Sequence, residues 1–448
     1  MRTRLPMLAI ALAAAATLVA IGCSFERSEI GKRPNVLLIV VDTLRADHLG
    51  VYGYERPVSP TIDRLAKDSI VFEDVTAHAP STLPSMLQLM TGQLILAREI
   101  PPAHQTLAER FAKAGYATLA IVDNPVIELR DTGLRRGFAE FYANAPLDER
   151  VNQQHWKTST PADVITRRAI RWLEERSGRE PFFAWLHYFD PHDPYHPPFL
   201  EDAPFDLESG SSWTGDVRRN PIYRANPADR DGTAASDADR QRLIDLYDAE
   251  IHYLDRSLGD LLDSLERMGL YDDTLVLLTS DHGEAFGEHG QWTHGRSLHQ
   301  VEIRVPLIAK LPEPETRHEV SSATAQLLDV FPTLCAWVGL DCPEKLAGRD
   351  LLNGAAPQDA YALWNHWAVA RDGRWKLLEN ARRGTRQLFD LERDPGETRD
   401  LADSEPEVVE RLQKRKEAWL RSMGRVPRDA AAESAEQVEQ LRALGYLD

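Results

Sequence analysis

The sequence predicts an α/β fold, with a parallel central sheet and a small antiparallel unit near the C-terminal end. Two apolar runs point to the sheet: Asn35 to Asp42 (NVLLIVVD) and Thr274 to His282 (TLVLLTSDH). Neither alternates with polar residues, as befits strands buried on both faces of a parallel sheet. Strand-like and helix-like stretches alternate between these runs, and after about Gly348 the pattern changes to short β-rich segments divided by turn residues.

The segments follow in order. Arg2 and Arg4 precede an apolar stretch, Leu5 to Ile21, which is short for a membrane span and ends in small residues before Cys23. This predicts a signal peptide over 1–22. Gly22 and Cys23 resemble a bacterial lipobox, so Cys23 is the expected lipidation site and 23–33 a linker to a membrane anchor, although Ala20 replaces the favoured leucine and leaves plain secretion or an uncleaved anchor as the alternatives. The expected location is that of an exported bacterial lipoprotein, in the periplasm or outer membrane, and Ser24 permits outer-membrane sorting.

A large unit is expected over 34–347. Thr61 to Lys67 and Thr106 to Ala114 have helical spacing, and Tyr116 to Asp123 (YATLAIVD) reads as a buried strand. Val164 to Arg176 resembles an amphipathic helix and leads to the strand Pro181 to Tyr188. Arg240 to Met268 is a long helix feeding the run at Thr274. Between Phe199 and Asp239 the chain is polar and aperiodic, which suits a functional loop or local disorder. A second unit is expected over 348–424. In it Ala360 to Ala370 and Arg374 to Glu379 flank the turn signal Asp372-Gly373, with a third strand at Arg386 to Leu391 and a helix at Pro406 to Leu420. Residues 425–448 form an Ala- and Glu-rich tail.

Composition bounds the function. The formal net charge of -18 over 448 residues argues against nucleic-acid binding, since phosphate backbones would be repelled. An anionic substrate would then need local positive charge from a metal and histidines. Cys335 and Cys342 are too few for a disulfide framework; they either pair with each other or serve as small buried apolar residues.

Parallel sheets hold ligands beyond the carboxyl ends of their strands. Asp42, Asp281 and His282 end the two apolar runs, so they would meet at one sheet edge. Between them Ser81 to Gly92 (STLPSMLQLMTG) sets the Thr82 hydroxyl two residues before a proline that can open a helix. A helix start offers unpaired N–H groups and partial positive charge to a phosphate or sulfate oxygen.

At these residues the chain resembles the sulfatase family, within the alkaline phosphatase superfamily. The resemblance runs in order from roughly Pro34 to Leu420. It rests on NVLLIVVDTLRADHLGVYGY (Asn35 to Tyr54), TLPSMLQLMTG (Thr82 to Gly92), HYFDPHDPY (His187 to Tyr195) and TSDHGEAFGEHGQWTHG (Thr279 to Gly295), with QLFDLERDPGETRDLA (Gln387 to Ala402) as a late segment. It implies an alkaline-phosphatase-like architecture: a large mixed, mostly parallel sheet with helices on both faces, over a sulfatase-like catalytic domain at 34–347, and a small C-terminal antiparallel subdomain. Asp42 falls where the family has its first metal-binding acid, and Asp281 with His282 on the later pair. With Thr82 these would hold one divalent ion; carboxylates plus an imidazole favour Zn or Mn, whereas Ca is usual among sulfatases. His196, His289 and His299 are a further set for a second metal, but a single ion is the expectation.

Thr82 occupies the place of the family's nucleophile, a Cys or Ser oxidised to formylglycine within Cys/Ser-x-Pro-x-Arg. Here the segment reads Thr-Leu-Pro-Ser-Met. Oxidation of a threonine would give a ketone rather than an aldehyde, and Met86 replaces the arginine that holds the modified residue. The family's Lys and His after the next strand are absent too, where the chain reads AIVDNP. Phosphodiesterase and phosphoglycerol transferase branches of the superfamily instead use an unmodified threonine at a metal. His192 matches a family histidine that contacts the transferred group, and His294 lies where many sulfatases have a lysine; both are candidates to bind an anionic oxygen or protonate the leaving alkoxide. Arg45, Arg296 and Arg304 either add charge near the pocket or pair with Asp47, Glu288 and Glu302. Trp364, Asn365, His366 and Trp367 either border the substrate or form a buried strand.

The leading expectation is a metal-dependent ester hydrolase or transferase that cleaves a phosphoester through Thr82. The alternatives are a sulfuric ester hydrolase, as the family label implies, and a catalytically inactive binding protein at the cell surface. In either enzymatic reading the substrate is an anionic ester.

Overall fold

Strand β1 (Asn35–Val41) is buried along its whole length, at the centre of an eight-stranded sheet. A computed structural model describes residues 33–423, apart from 129–130, 144–160, 177–179, 199, 207–210, 218–219, 221–234, 344 and 353–358. The expected signal peptide, Cys23, the 425–448 tail and much of the polar 199–239 stretch lie outside the described residues.

The other strands of the sheet are β2 (Ile70–Phe72), β3 (Ala117–Val122), β4 (Glu140–Ala143), β5 (Phe182–Tyr188), β6 (Thr274–Ser280), β7 (Leu307–Lys310) and β8 (Glu319–Ser321). They lie in the order β8-β2-β7-β6-β1-β5-β3-β4. β7 runs against both of its neighbours, and the remaining pairings are parallel. The lack of alternation in β1 has a direct cause. Val36, Leu38 and Val40 enter the hydrophobic cluster on one face, whereas Leu37, Ile39 and Val41 enter the cluster on the other. Each such side chain contributes roughly 1.5–3 kcal/mol by leaving water.

Helices cover both faces. α1 (Pro60–Ala66), α4 (Ala162–Arg176) and the long α5 (Asp237–Arg267) pack into the second cluster; α2 (Thr82–Leu89), α3 (Leu107–Lys113) and α6 (Val330–Val338) pack into the first. The start of α3 is set by a capping box, in which Thr106 Oγ1 accepts the Glu109 N–H at 3.1 Å and Glu109 Oε2 accepts the Thr106 N–H at 2.8 Å. Ser236 and Asp239 form the same device at the start of α5. Cys335 and Cys342 are free cysteines, the first buried.

The C-terminal sheet is antiparallel, as expected, but has four strands: β9 (Ala360–Trp364), β10 (Trp367–Arg371), β11 (Trp375–Asn380) and β12 (Thr385–Asp390). The run from Ala360 to Ala370 is therefore a hairpin rather than one strand. Its turn falls at Asn365 and His366, where Asn365 takes a φ of +49°, a left-handed conformation that asparagine tolerates without a glycine to advertise it. Asp372-Gly373 does turn β10 into β11, with Gly373 at φ +84°. Helix α7 (Pro406–Ser422) lies over this sheet and stacks Trp419 on Tyr361, ring centroids 4.5 Å apart.

Candidate active site

The register of the central strands brings the first two acids together. Val41 pairs with Ser280 across the parallel β1–β6 ladder. Asp42 and Asp281 each follow one residue later, at the carboxyl edge of the sheet. Asp281 Oδ1 accepts the backbone N–H groups of Thr43 at 3.2 Å and His282 at 2.9 Å, so the carboxylate is locked in place. His282 Nδ1 donates to the Gly283 carbonyl at 2.9 Å. That leaves Nε2 as the lone-pair nitrogen, facing Asp281 Oδ2 at 3.5 Å and Asp42 Oδ1 at 3.7 Å.

Thr82 is the first residue of α2 and is buried. Its Oγ1 lies 3.5 Å from Asp42 Oδ2 and 3.4 Å from His282 Nε2. The four residues Asp42, Thr82, Asp281 and His282 thus meet although up to 240 positions separate them. Met86, one turn further along α2, has no exposed surface and packs in the core. The place of the family's arginine is therefore filled by apolar packing.

His192 and His294 lie beside the cluster. The His294 ring is 4.6 Å from that of His282 and 4.9 Å from that of His192. His294 Nδ1 faces Glu284 Oε1 at 3.1 Å, and His192 Nδ1 donates to the Asp193 carbonyl while Phe189 stacks on its ring.

Three further residues reach this site. Asn124 donates from Nδ2 to Asp42 Oδ2 at 2.6 Å and lies 3.4 Å from Thr82 Oγ1; its Oδ1 accepts the Val126 N–H, which fixes the amide's orientation. His187, in β5, sets Nε2 3.5 Å from Asp42 Oδ2. Glu284 is buried behind His294. The strand-end rule applied to Tyr116 to Asp123 gives a signal for Asn124, two residues past β3. His187 sits near the end of an apolar run whose pattern does not single it out, although it opens the HYFDPHDPY segment.

The electrostatics suit a cation. Burial pushes the Asp42 carboxyl up, but His192, the His187 hydrogen bond and His282 together hold it well below the carboxylate range. Burial, then the charge of Asp42, pushes Asp281 up to about 6. Burial works to lower His282, yet Asp281 and Asp42 raise it above the ordinary imidazole value. Two buried carboxylates in one site repel unless a positive charge sits with them. Asp42 Oδ1 and Asp281 Oδ2 are buried without a hydrogen-bond partner, and ligand atoms of Asp42, Asp281 and His282 lie within 4.8 Å of one another. These residues fit a divalent metal ion.

The remaining candidates go elsewhere. The His196 N–H is held by Glu250, and His289 stacks on His299 with centroids 3.7 Å apart. Arg45 takes the structural option: it is buried between Asp47 at 2.7 Å and Glu288 at 2.8 Å. Arg296 meets Glu302 through its backbone N–H, and Arg304 donates to the Glu73 carbonyl. Trp364 and Trp367 are half-buried strand ends flanking the hairpin turn.

Acids and a histidine at the carboxyl ends of parallel strands, with a buried hydroxyl facing them, suit a metal-dependent hydrolase of ester bonds. The family model described as Sulfatase matches residues 34–340, and a second, N-sulphoglucosamine sulphohydrolase, C-terminal, matches residues 287–422. The chain belongs to the sulfatase family. Human iduronate 2-sulfatase is 26% identical over 470 residues, covering 88% of this chain and 81% of the relative. The multifunctional alkaline phosphatase superfamily protein PehA of Trinickia caryophylli is 26% identical, covering 71% and 76%. The fold is shared with the phosphonate monoester hydrolase of Agrobacterium radiobacter, at a TM-score of 0.67 and 22% identity over 87% of this chain and 95% of that one.

Proposed function

We propose that this protein cleaves a phosphoester by attack of Thr82 Oγ1 on phosphorus, with an alternative water or alcohol acceptor in the second step. The observation that carries the reading is the placement of the Thr82 hydroxyl 3.4 Å from His282 Nε2 and 3.5 Å from Asp42 Oδ2, on a helix whose Met86 lies in the core. Asp42, Asp281, His282 and Thr82 would hold the ion. When bound, a divalent cation neutralises charge on the phosphoryl oxygens and lowers the proton affinity of a hydroxyl beside it.

The chain's own groups do the rest. The Thr82 hydroxyl gives up its proton to solvent, the Oγ1–P bond forms as the bond from phosphorus to the leaving oxygen breaks, and the leaving oxygen takes up a proton. Asn124 anchors Asp42 and faces Oγ1, so it holds both partners of that contact in register. We read the His294 ring as the group that protonates the leaving oxygen, a role that the Glu284 carboxylate at Nδ1 supports by favouring the charged imidazolium. Burial pushes the His192 pKa down to about 4 and its Nδ1 N–H is taken by the Asp193 carbonyl, so at neutral pH its Nε2 offers a lone pair that can accept a proton from the attacking water or alcohol. Water or an alcohol then attacks phosphorus and releases Thr82.

A sulfuric ester remains the second reading, favoured by the family model and by the similarity to iduronate 2-sulfatase. One experiment separates them. The protein is exposed briefly to aryl phosphate, phosphodiester and aryl sulfate with added Mn, Zn or Ca, and peptides containing Thr82 are weighed. A phosphoryl adduct on Thr82 supports the proposal. Equal cleavage by the parent and Thr82→Ala refutes the nucleophile, and metal binding without cleavage of any ester favours an inactive binding protein.

A further inference from the structure

His294 stands on a loop between the short strand Trp292–Thr293 and the helix Gln300–Ile303, so no ladder of regular hydrogen bonds fixes its backbone. The C-terminal sheet reaches over to hold it. Trp364 Nε1, at the end of β9, donates at 3.0 Å to the carbonyl of Gly295, the residue after His294. From β11, Lys376 Nζ donates to the Leu298 carbonyl at 2.6 Å and to Gln300 Oε1 at 3.3 Å. Glu397 completes the contact: one oxygen lies 2.5 Å from Lys376 Nζ, and the other accepts the Gln300 N–H at 2.6 Å.

This pair is expensive to hide. The Lys376 and Glu397 side chains are 0% and 1% exposed, and replacing a buried ion pair by apolar residues of the same volume is often neutral or stabilising. Glu397 also takes φ +54°, a conformation that a non-glycine residue keeps only where its surroundings over-determine it. Stability alone therefore does not call for these two residues. What they do, and an apolar pair would not, is end both charges on groups of the segment that follows His294.

We propose that Trp364, Lys376 and Glu397 are positioning residues for His294, so that the C-terminal sheet sets where its imidazole meets the leaving group. The proposal rests on the reading of His294 given above. It assigns the C-terminal unit a part in turnover without contact with the substrate.

Trp364→Phe removes one N–H donor and keeps a ring, so it remains informative if Lys376→Met fails to fold. Both variants of the full chain, with added Mn, are compared with the parent in two measurements. In hydrogen exchange, amides of 294–303 should exchange roughly tenfold faster while those of α4 and α5 stay unchanged. In turnover, phenyl phosphate, a poor leaving group, should slow by roughly tenfold at unchanged KM, and 4-nitrophenyl phosphate by less than about twofold, in the pattern of His294→Ala. Unchanged exchange overturns the proposal. So does equal slowing of both esters when His294→Ala is selective. If His294→Ala is itself unselective, the reading of His294 fails, and exchange alone then decides whether the sheet holds the loop.

Discussion

Asn124 donates its side-chain amide to Asp42 Oδ2 at 2.6 Å, so a residue just past β3 fixes the carboxylate that ends β1, two strands away. Groups that orient a metal ligand typically matter by 10–100-fold in affinity or activity. Asn124→Ala should therefore weaken Mn binding by roughly 10-fold or more in a calorimetric titration. Asn124→Asp should also impair activity, because it sets a third carboxylate beside Asp42 and Asp281. Unaltered binding in the alanine variant would show that Asp42 needs no such anchor.

Thr82 offers a sharper test. Thr82→Ala should lower kcat by on the order of 10³-fold or more, the scale of losing a nucleophile. Thr82→Ser keeps the hydroxyl and should keep measurable turnover. Steady-state kinetics on the best ester substrate distinguishes the two. Equal loss in both variants would mean that the methyl group, not the oxygen, is what the site requires.

Chelation should expose the repulsion between Asp42 and Asp281. A ligand at 100 times its Kd stabilises by about 2.7 kcal/mol, so adding EDTA should lower Tm by several degrees in a scanning melt. Asp281→Asn removes one of the two charges and a ligand, so its Tm should respond little to Mn or EDTA. A parent Tm indifferent to chelator would show that no ion contributes to the folded state.

Asp255 gives the pH prediction. It is buried and accepts the N–H groups of Thr61 and Ile62 at 2.8 Å each. Burial pushes its pKa from 3.8 up to about 6. The folded chain therefore holds a proton that the unfolded chain releases. This contribution is fully present below about pH 4 and is lost as pH rises through about 6. Asp255→Asn, which cannot ionise, should show a smaller fall in Tm between pH 4.5 and 7. An unchanged fall would assign the pH dependence to other groups.

The proposed lipid anchor is tested by Cys23→Ser. The parent should sediment with membranes after cell breakage, and the variant should not. A parent protein found in the soluble fraction would refute anchoring.

Much of the architecture was legible because the strands are buried on both faces. Runs such as Asn35–Val41 and Thr274–Ser280 carry no polar interruption, and their ends mark the sheet edge where Asp42 and Asp281 stand. Thr82 was legible through the proline two residues on that can open a helix and through the family motif around it. Asn124, His187 and Glu284 were harder. Asn124 acts on Asp42 across 82 positions and His187 across 145, so only strand order, β1 beside β5 beside β3, makes them neighbours. The hairpin at Asn365 was missed because neighbouring aromatic and aliphatic residues masked a turn that contains no glycine.

Met86 sets a limit on redesign. Grafting aldehyde-based sulfate cleavage onto this scaffold would require a modifiable cysteine at 82 and a guanidinium at 86. The second change would plant a cation where a thioether lies buried within the first hydrophobic cluster. An engineer would have to repack the interior under that helix first, so a pair of point mutations alone should not install aldehyde-based cleavage.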